Sequence, residues 1–201
     1  LESIIPIIIA FITGVLGPIL IIIIKNKLDK KAAAPDMLSD SLRIGERVTS
    51  KIDQIREEFK ADRVWITQFH NGGHFYPTGK SIAKFSVIYE TVALNTTSIQ
   101  SNFQNIPINL FSKSMNRLLE KDLIAISDFT DEEIATYGLK YIAEDTGCKA
   151  GYLFAIKTID EKFIGVLGLD YTKRKTKLSP DDLNHITNHA TALGGVLIST
   201  H

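Results

Sequence analysis

Residues 4–24 are an apolar run of 21 positions without one charge, after which the rhythm of the chain changes. That length matches what a helix needs to cross the hydrocarbon core of a bilayer. Gly14, Gly17 and Pro18 interrupt the run but are tolerated in a spanning helix, with a kink expected at Pro18. Past the exit segment, Leu38, Leu42, Gly45, Val48, Ile52, Ile55 and Phe59 recur at three- and four-residue steps among Arg43, Glu46, Arg47, Lys51, Asp53, Arg56 and Glu57. This predicts an amphipathic helix with one narrow apolar stripe. Such a stripe either forms the seam of a helix pair or packs on its own domain. Both hold if its first half pairs and residues 52–59 dock inward. The expected dimer seam is Leu38, Leu42, Val48, Ile52 and Ile55.

Beyond residue 60 the period shortens. Residues 64–70 are branched and aromatic, Asn71-Gly72-Gly73 is expected to break that strand, and residues 83–92 alternate so as to return antiparallel to it. Residues 95–107, rich in Asn, Thr, Ser and Gln, read as a surface loop, and Pro35 suits the first turn of the preceding helix. A helix over 110–119, a short strand over 123–127 and a second helix over 131–145 follow. Strands 150–158 and 163–172 flank a turn at 159–162, with Gly165 and Gly168 marking close packing or a bulge. Ser179-Pro180-Asp181-Asp182 caps a last helix beginning at Leu183. The order predicts an α+β fold, an antiparallel sheet with segregated helices. The expected organisation is an anchor with a basic flank (1–31), a connecting and dimerisation helix (32–60) and one domain (61–201).

Charge settles the orientation. The formal net charge is zero, and Lys25, Lys27, Lys30 and Lys31 follow the apolar run. A cleaved signal would carry its positive charge before a shorter core, whereas here Leu1-Glu2 precedes it, although Ala32-Ala33-Ala34 resembles a cleavage site. Basic flanks stay on the inner side, so a single-pass membrane protein with a cytoplasmic C-terminal domain is expected, its lysines resting on anionic lipid headgroups. The balance excludes a nucleic-acid footprint. Cys148 is the one cysteine, which fits a reducing compartment. The chain opens on Leu1, so a segment in front of it is expected to have been removed or left out.

Three stretches together carry a family resemblance: the long helix running into Ala61-Asp62-Arg63-Val64, the strand Phe163-Ile164-Gly165-Val166-Leu167-Gly168-Leu169-Asp170, and the Ser179-Pro180 helix. From about Leu38 to Ser199 the chain resembles the GAF domain family of small-molecule sensor modules. The resemblance implies a GAF-like antiparallel sheet of five to six strands flanked by helices, here preceded by one transmembrane helix. It implies terminal helices on one face that often dimerise and a ligand pocket, where there is one, on the other. The Asn-Lys-Phe-Asp-Glu signature of the cyclic-nucleotide-binding members is absent, and Cys148 lacks the context of a chromophore attachment site.

Candidate chemistry concentrates in the glycine-punctuated stretch after the first strand, where His70, Asn71, His74, Tyr76, Lys80 and Ser81 lie close together. Gly72, Gly73 and Gly79 permit backbone N–H groups to converge, and with Lys80 they offer an anion site; a plain surface loop is the alternative. Gly79-Lys80-Ser81 resembles the end of a phosphate loop, but His74 stands where a glycine is required and Ser81 leads into a strand, so nucleotide hydrolysis is rejected. Asp170 either faces the pocket or caps a loop. Glu90, if buried, needs a cation, and Lys80 or Arg63 could supply it. The pairs His70/His74 and His185/His189 have metal-like spacing but no third Cys or His nearby, so no metal is expected, and no cofactor. No nucleophile has a readable base, so no catalysis is expected.

The expected function is a membrane-anchored, dimeric sensory module, binding a small polar or anionic ligand or a partner protein. The alternative is a ligand-free structural or assembly protein using the same fold for oligomerisation, favoured by the lack of an output domain after His201. An enzyme using His70 or His74 as base ranks third.

Overall fold

Alternation along the strands, with side chains pointing to opposite faces, sorts this protein into two packed layers around one sheet. In the computed structural model, which describes residues 14, 16–32, 37–75 and 77–198, the chain forms two compact units, Leu1–Asp40 with His201 and Ser41–Thr200. The first unit contains helix α1 (Gly17–Ala32) and the start of α2 (Met37–Glu58). Leu20, Ile21, Ile22 and Ile23 of α1 are more than half exposed. No helix among the described residues is long and apolar enough to cross a membrane. Most of the apolar run, residues 4–13 and 15, lies outside the described residues, and with it the turn that would show a kink before Pro18.

The second unit carries six strands: β1 (Arg63–His74), β2 (Ser81–Val92), β3 (Ile106–Pro107), β4 (Leu123–Ile126), β5 (Ala150–Lys157) and β6 (Phe163–Tyr171). They pair antiparallel in the order β3-β2-β1-β6-β5-β4. The expected α+β arrangement of five to six strands is present. Helices α3 (Ser112–Lys121), α4 (Lys140–Asp145) and α5 (Pro180–Leu197) complete it, with a 3-10 turn at Ile108–Phe111 ahead of α3.

One face of the sheet is covered by α2 and α5. Val48, Ile52 and Ile55 pack with Ile186, Ala190 and Leu193 against Val64, Ile66, Phe154, Ile156, Leu167 and Leu169. Tyr171 ties the end of α2 to β6 by donating to the carbonyl of Phe59 at 2.9 Å. The dimer seam expected at Val48, Ile52 and Ile55 is therefore corrected: all three are fully buried within their own domain. A sheet face needs an apolar cover, and this stripe supplies it. Leu38 and Leu42, 70% and 65% exposed, are the members of the expected seam that remain uncovered. The last helix starts as its capping residues dictate: Ser179 Oγ accepts from the Asp182 N–H at 3.1 Å, and the Asp182 carboxylate accepts from the Ser179 N–H at 3.0 Å.

Two local expectations fail for identifiable reasons. The strand does not break at Asn71-Gly72-Gly73; pairing continues through Asn71 opposite Ala83 to His74 opposite Ser81, with an irregularity absorbed by Gly73 at φ +102°. The helix expected over 131–145 shrinks to Lys140–Asp145. Asp128 and Asp131 accept the N–H groups of Thr130 and Glu133 at 2.8 and 2.9 Å, local bonds that compete with a helix, and Tyr137 and Gly138 adopt left-handed backbone.

Asp62 knots the strand ends. Its N–H donates to the Asp170 carbonyl (3.0 Å), its carbonyl accepts from Ala93 (2.7 Å), and its carboxylate accepts from the N–H groups of Thr172 (2.8 Å) and Lys173 (3.0 Å). Burial alone would raise its pKa, but these donors and the Lys173 ammonium outweigh it and hold the carboxyl below its ordinary 3.8. Its stabilisation is thus complete above that ordinary value and is lost as pH falls through the lower folded one. Asp62→Ala is expected to cost about 1–3 kcal/mol in denaturant unfolding, since it strands two N–H groups. Asp62→Asn should flatten the loss of stability on acidification below about pH 4, measured by unfolding at a series of pH values.

Candidate functional site

On the other face of the sheet the side chains of β1, β5 and β6 meet α3, α4 and the segment 95–111 around a cavity of about 80 Å³. Strand alternation selects its floor. Arg63, Trp65 and Thr67 of β1, Gly151 and Leu153 of β5, and Val166 and Asp170 of β6 all line it. The walls are mostly apolar: Phe85, Val87, Ile99, Phe103, Phe111, Met115, Phe129, Leu139, Ile142 and Ala143.

Charge enters at one point. Arg63, 1% exposed, lies directly across from Asp170 in the β1–β6 register. Its Nε donates to Asp170 Oδ2 at 2.8 Å and its Nη2 lies 2.7 Å from the same oxygen. Trp65 Nε1 donates to that oxygen as well, at 3.0 Å. The indole can lie there because Gly168 stands opposite Trp65; a Cβ on residue 168 would come within 2.1 Å of the ring. Two hydrogen bonds and the adjoining guanidinium charge on one carboxylate oxygen offset the desolvation of a buried pair.

The same arginine holds the cavity's rim. Its Nη1 donates to the Thr97 carbonyl at 2.8 Å. Beside it Glu90 accepts from the Ile99 and Gln100 N–H groups (2.8 and 3.1 Å) and from the Ser98 hydroxyl. Residues 97–100 are thereby pinned, which seats Ile99 in the wall. Glu90 is thus satisfied by backbone and hydroxyl donors, correcting the expectation of Lys80 or Arg63 as its partner. Cys148 also lines the cavity and donates to the Ala150 carbonyl at 3.0 Å. Burial, reinforced by the Asp170 charge, pushes its thiol well above the ordinary range, so it stays protonated and unreactive.

Of the described residues expected to form a site, Asp170 lines this cavity, and His70, Asn71, His74, Lys80 and Ser81 do not. His70 shares a hydrogen bond with Ser86 Oγ at 3.0 Å. Asn71 Oδ1 accepts from the Gly73 N–H and the Ser81 hydroxyl, both at 3.0 Å, so the structure brings Asn71 and Ser81 together. His74, Lys80 and Ser81 are exposed near the tip of the β1–β2 hairpin, and Tyr76 lies outside the described residues. Arg63, Trp65 and Cys148 were not expected at a site. The signal available for Arg63 was a basic residue opening a branched and aromatic strand, in register with an Asp at the far end of another.

The chain matches no family model and no curated protein. Solved structures do resemble it. A phycoerythrobilin-bound GAF domain from a cyanobacterial phytochrome aligns over 78% of this chain and 86% of its own, with a TM-score of 0.61 at 19% identity. The blue-light-absorbing form of the Thermosynechococcus elongatus PixJ GAF domain aligns over 79% and 87%, with a TM-score of 0.61 at 14% identity. A GAF domain from Synechocystis in its photoproduct state aligns over 77% and 92%, with a TM-score of 0.59 at 17% identity. With its six-stranded antiparallel sheet and helices on both faces, the domain has the GAF fold.

Proposed function

We propose that this chain is a membrane-anchored sensory module whose GAF-fold domain takes a small molecule into the cavity beside Arg63 and Asp170, without catalytic turnover. The observation that carries this reading is a buried, charge-compensated carboxylate facing a mostly apolar cavity. Such a site gives an entering molecule one polar anchor and apolar walls. Both hydrogen bonds, from Arg63 Nε and Trp65 Nε1, and the closest ion-pair contact converge on Asp170 Oδ2. Oδ1, beside Gly151 in the wall, keeps acceptor capacity for a donor on the ligand.

Size and chemistry narrow the ligand. The cavity of about 80 Å³ is smaller than the roughly 150 Å³ engineered cavity that binds benzene. A ligand of few heavy atoms fits this best, with an apolar body and one N–H or O–H. A phycoerythrobilin is borne by one structural neighbour. Neither the volume here nor the protonated Cys148 thiol favours a bilin for this chain. The anionic ligand expected at Lys80 loses its support, because Lys80 is away from the cavity. Absence of turnover is supported by the hydroxyl of Ser114, which donates to the Tyr137 carbonyl rather than to a base.

The anchor is the apolar run of residues 4–24. Its described part exposes Leu20 to Ile23 ahead of Lys25 and Lys27, a surface that suits lipid and a charge order that places the domain on the cytoplasmic side. Dimerisation falls to Leu38 and Leu42. Ligand occupancy would favour one arrangement of the helices packed on the sheet's other face, and so report to the membrane. A second reading has one observation in its favour: Phe85, Phe103, Phe111 and Phe129 crowd the cavity, as in a fold that has lost its ligand and serves assembly.

Thermal unfolding of the full chain in detergent, screened against short-chain alcohols, small amides and nucleotides, should show stabilisation by the small neutral donors. At a concentration one hundred times Kd this amounts to about 2.7 kcal/mol. Ala143→Leu, which fills the cavity from α4, should abolish that shift while leaving the fold intact. A biological activity that survives this variant, with no compound giving a shift, selects the assembly reading. Full-length chain should sediment with membranes, and chain lacking residues 1–31 should remain in the supernatant.

A further inference from the structure

On the sheet face opposite the cavity, three ligand-type side chains converge. Glu58 closes α2, and His185 and His189 stand one turn apart on α5. Their imidazoles stack with centroids 4.7 Å apart at 26°. His185 Nδ1 lies 3.1 Å from Glu58 Oε1, and His189 Nε2 lies 3.6 Å from Glu58 Oε2. All three ligating atoms fall within 4.8 Å of one another.

The second observation concerns His189. It is 7% exposed, and its Nε2 is buried without a hydrogen-bond partner among the described residues. An orphaned buried nitrogen is uncommon and calls for a missing partner. The Glu58 carboxylate is too far away to fill that role as a hydrogen bond. Burial first, then the charges of Lys51 and His185, hold the His189 imidazole below its ordinary pKa against the opposing pull of Glu58. Phe59 packs edge-on against both rings, with centroids 5.7 and 6.3 Å away, and keeps one side of the cluster dry.

We propose that Glu58, His185 and His189 bind a divalent transition-metal ion of the zinc class, joining the end of α2 to α5, with water at the fourth position. Two nitrogens and a carboxylate are a common zinc donor set, and tetrahedral geometry at such bond lengths sets ligand atoms about 3.3 Å apart. The two histidine–carboxylate separations, each to a different Glu58 oxygen, lie near that value, and the whole donor set falls within 4.8 Å, so small side-chain shifts close the site. His185 and Glu58 face solvent, which leaves an entry path and room for the water. Counting only Cys and His near each histidine pair hides this site, because the third donor comes from a helix at the far end of the domain. A bound ion there would fix the two helices that cover the sheet.

The test uses tag-free full-length chain in detergent. Cobalt(II) is titrated by visible absorption and zinc(II) by calorimetry, at pH 7.5 and at about pH 5.5, where protons compete for the imidazoles. The expected result is one metal per chain, the intense visible bands of four-coordinate cobalt, and weakening at the lower pH. His185→Gln and Glu58→Gln, both at exposed positions, should weaken binding by about tenfold or more. The double variant His70→Gln/His74→Gln should bind as the parent does. Circular dichroism of each variant confirms that it is folded. Absence of one-to-one binding, binding unchanged in both His185→Gln and Glu58→Gln, or binding lost with His70 and His74 would each overturn the proposal.

Discussion

The ion pair between Arg63 and Asp170 is the constraint on which the cavity side of this protein depends. Two neighbouring strands bring the residues face to face, and the low dielectric around them strengthens their attraction as much as it penalises each charge alone. Arginine suits the position because its fork serves two structures at once. One edge is spent on Asp170 and Nη1 on the Thr97 carbonyl, so a single side chain joins the β1–β6 register to the rim of the cavity. A lysine could not hold both directions. Trp65 completes the arrangement, and it does so only where Gly168 leaves room for the indole.

Strand alternation then divides labour between the two faces. Residues of one parity, such as Ile66, Phe154 and Leu167, meet α2 and α5 in a dry and continuous core. Residues of the other parity, Arg63, Trp65, Leu153 and Asp170, meet shorter helices and an irregular segment that leave space between them. The terminal helices therefore close one face while the opposite face keeps a cavity. Glu58 and the histidines of α5 sit on the closed side, where a bound ion would clamp helices rather than serve chemistry at the cavity.

Much of the fold was legible in the sequence because it rests on period and punctuation. The stripe from Val48 to Phe59, the strands 150–157 and 163–171, and the Ser179-Pro180 cap each have a local cause and were located to within a few residues. Where competing local bonds decide, the reading failed: Asp128 and Asp131 divert the chain from the helix expected at 131–139, and Gly73 lets a strand continue where a break was expected. The apolar stripe of α2 shows another limit. Its pattern is the same whether the partner is a second chain or the chain's own sheet, and only the packing of Val48, Ile52 and Ile55 decides. The site was legible at Asp170 alone. Close spacing in sequence drew attention to the hairpin residues, whereas the cavity is assembled from residues that only strand register brings together.

A double-mutant cycle on the buried pair tests this account most directly. Arg63→Met, Asp170→Leu and the double variant would be compared with the parent by equilibrium denaturation. If the pair organises the cavity, each single variant loses about 3–5 kcal/mol by stranding a buried charge, and the double variant recovers about 2–3 kcal/mol of the summed loss. Losses that add to within about 0.5 kcal/mol would show that the two residues act independently and would contradict the account.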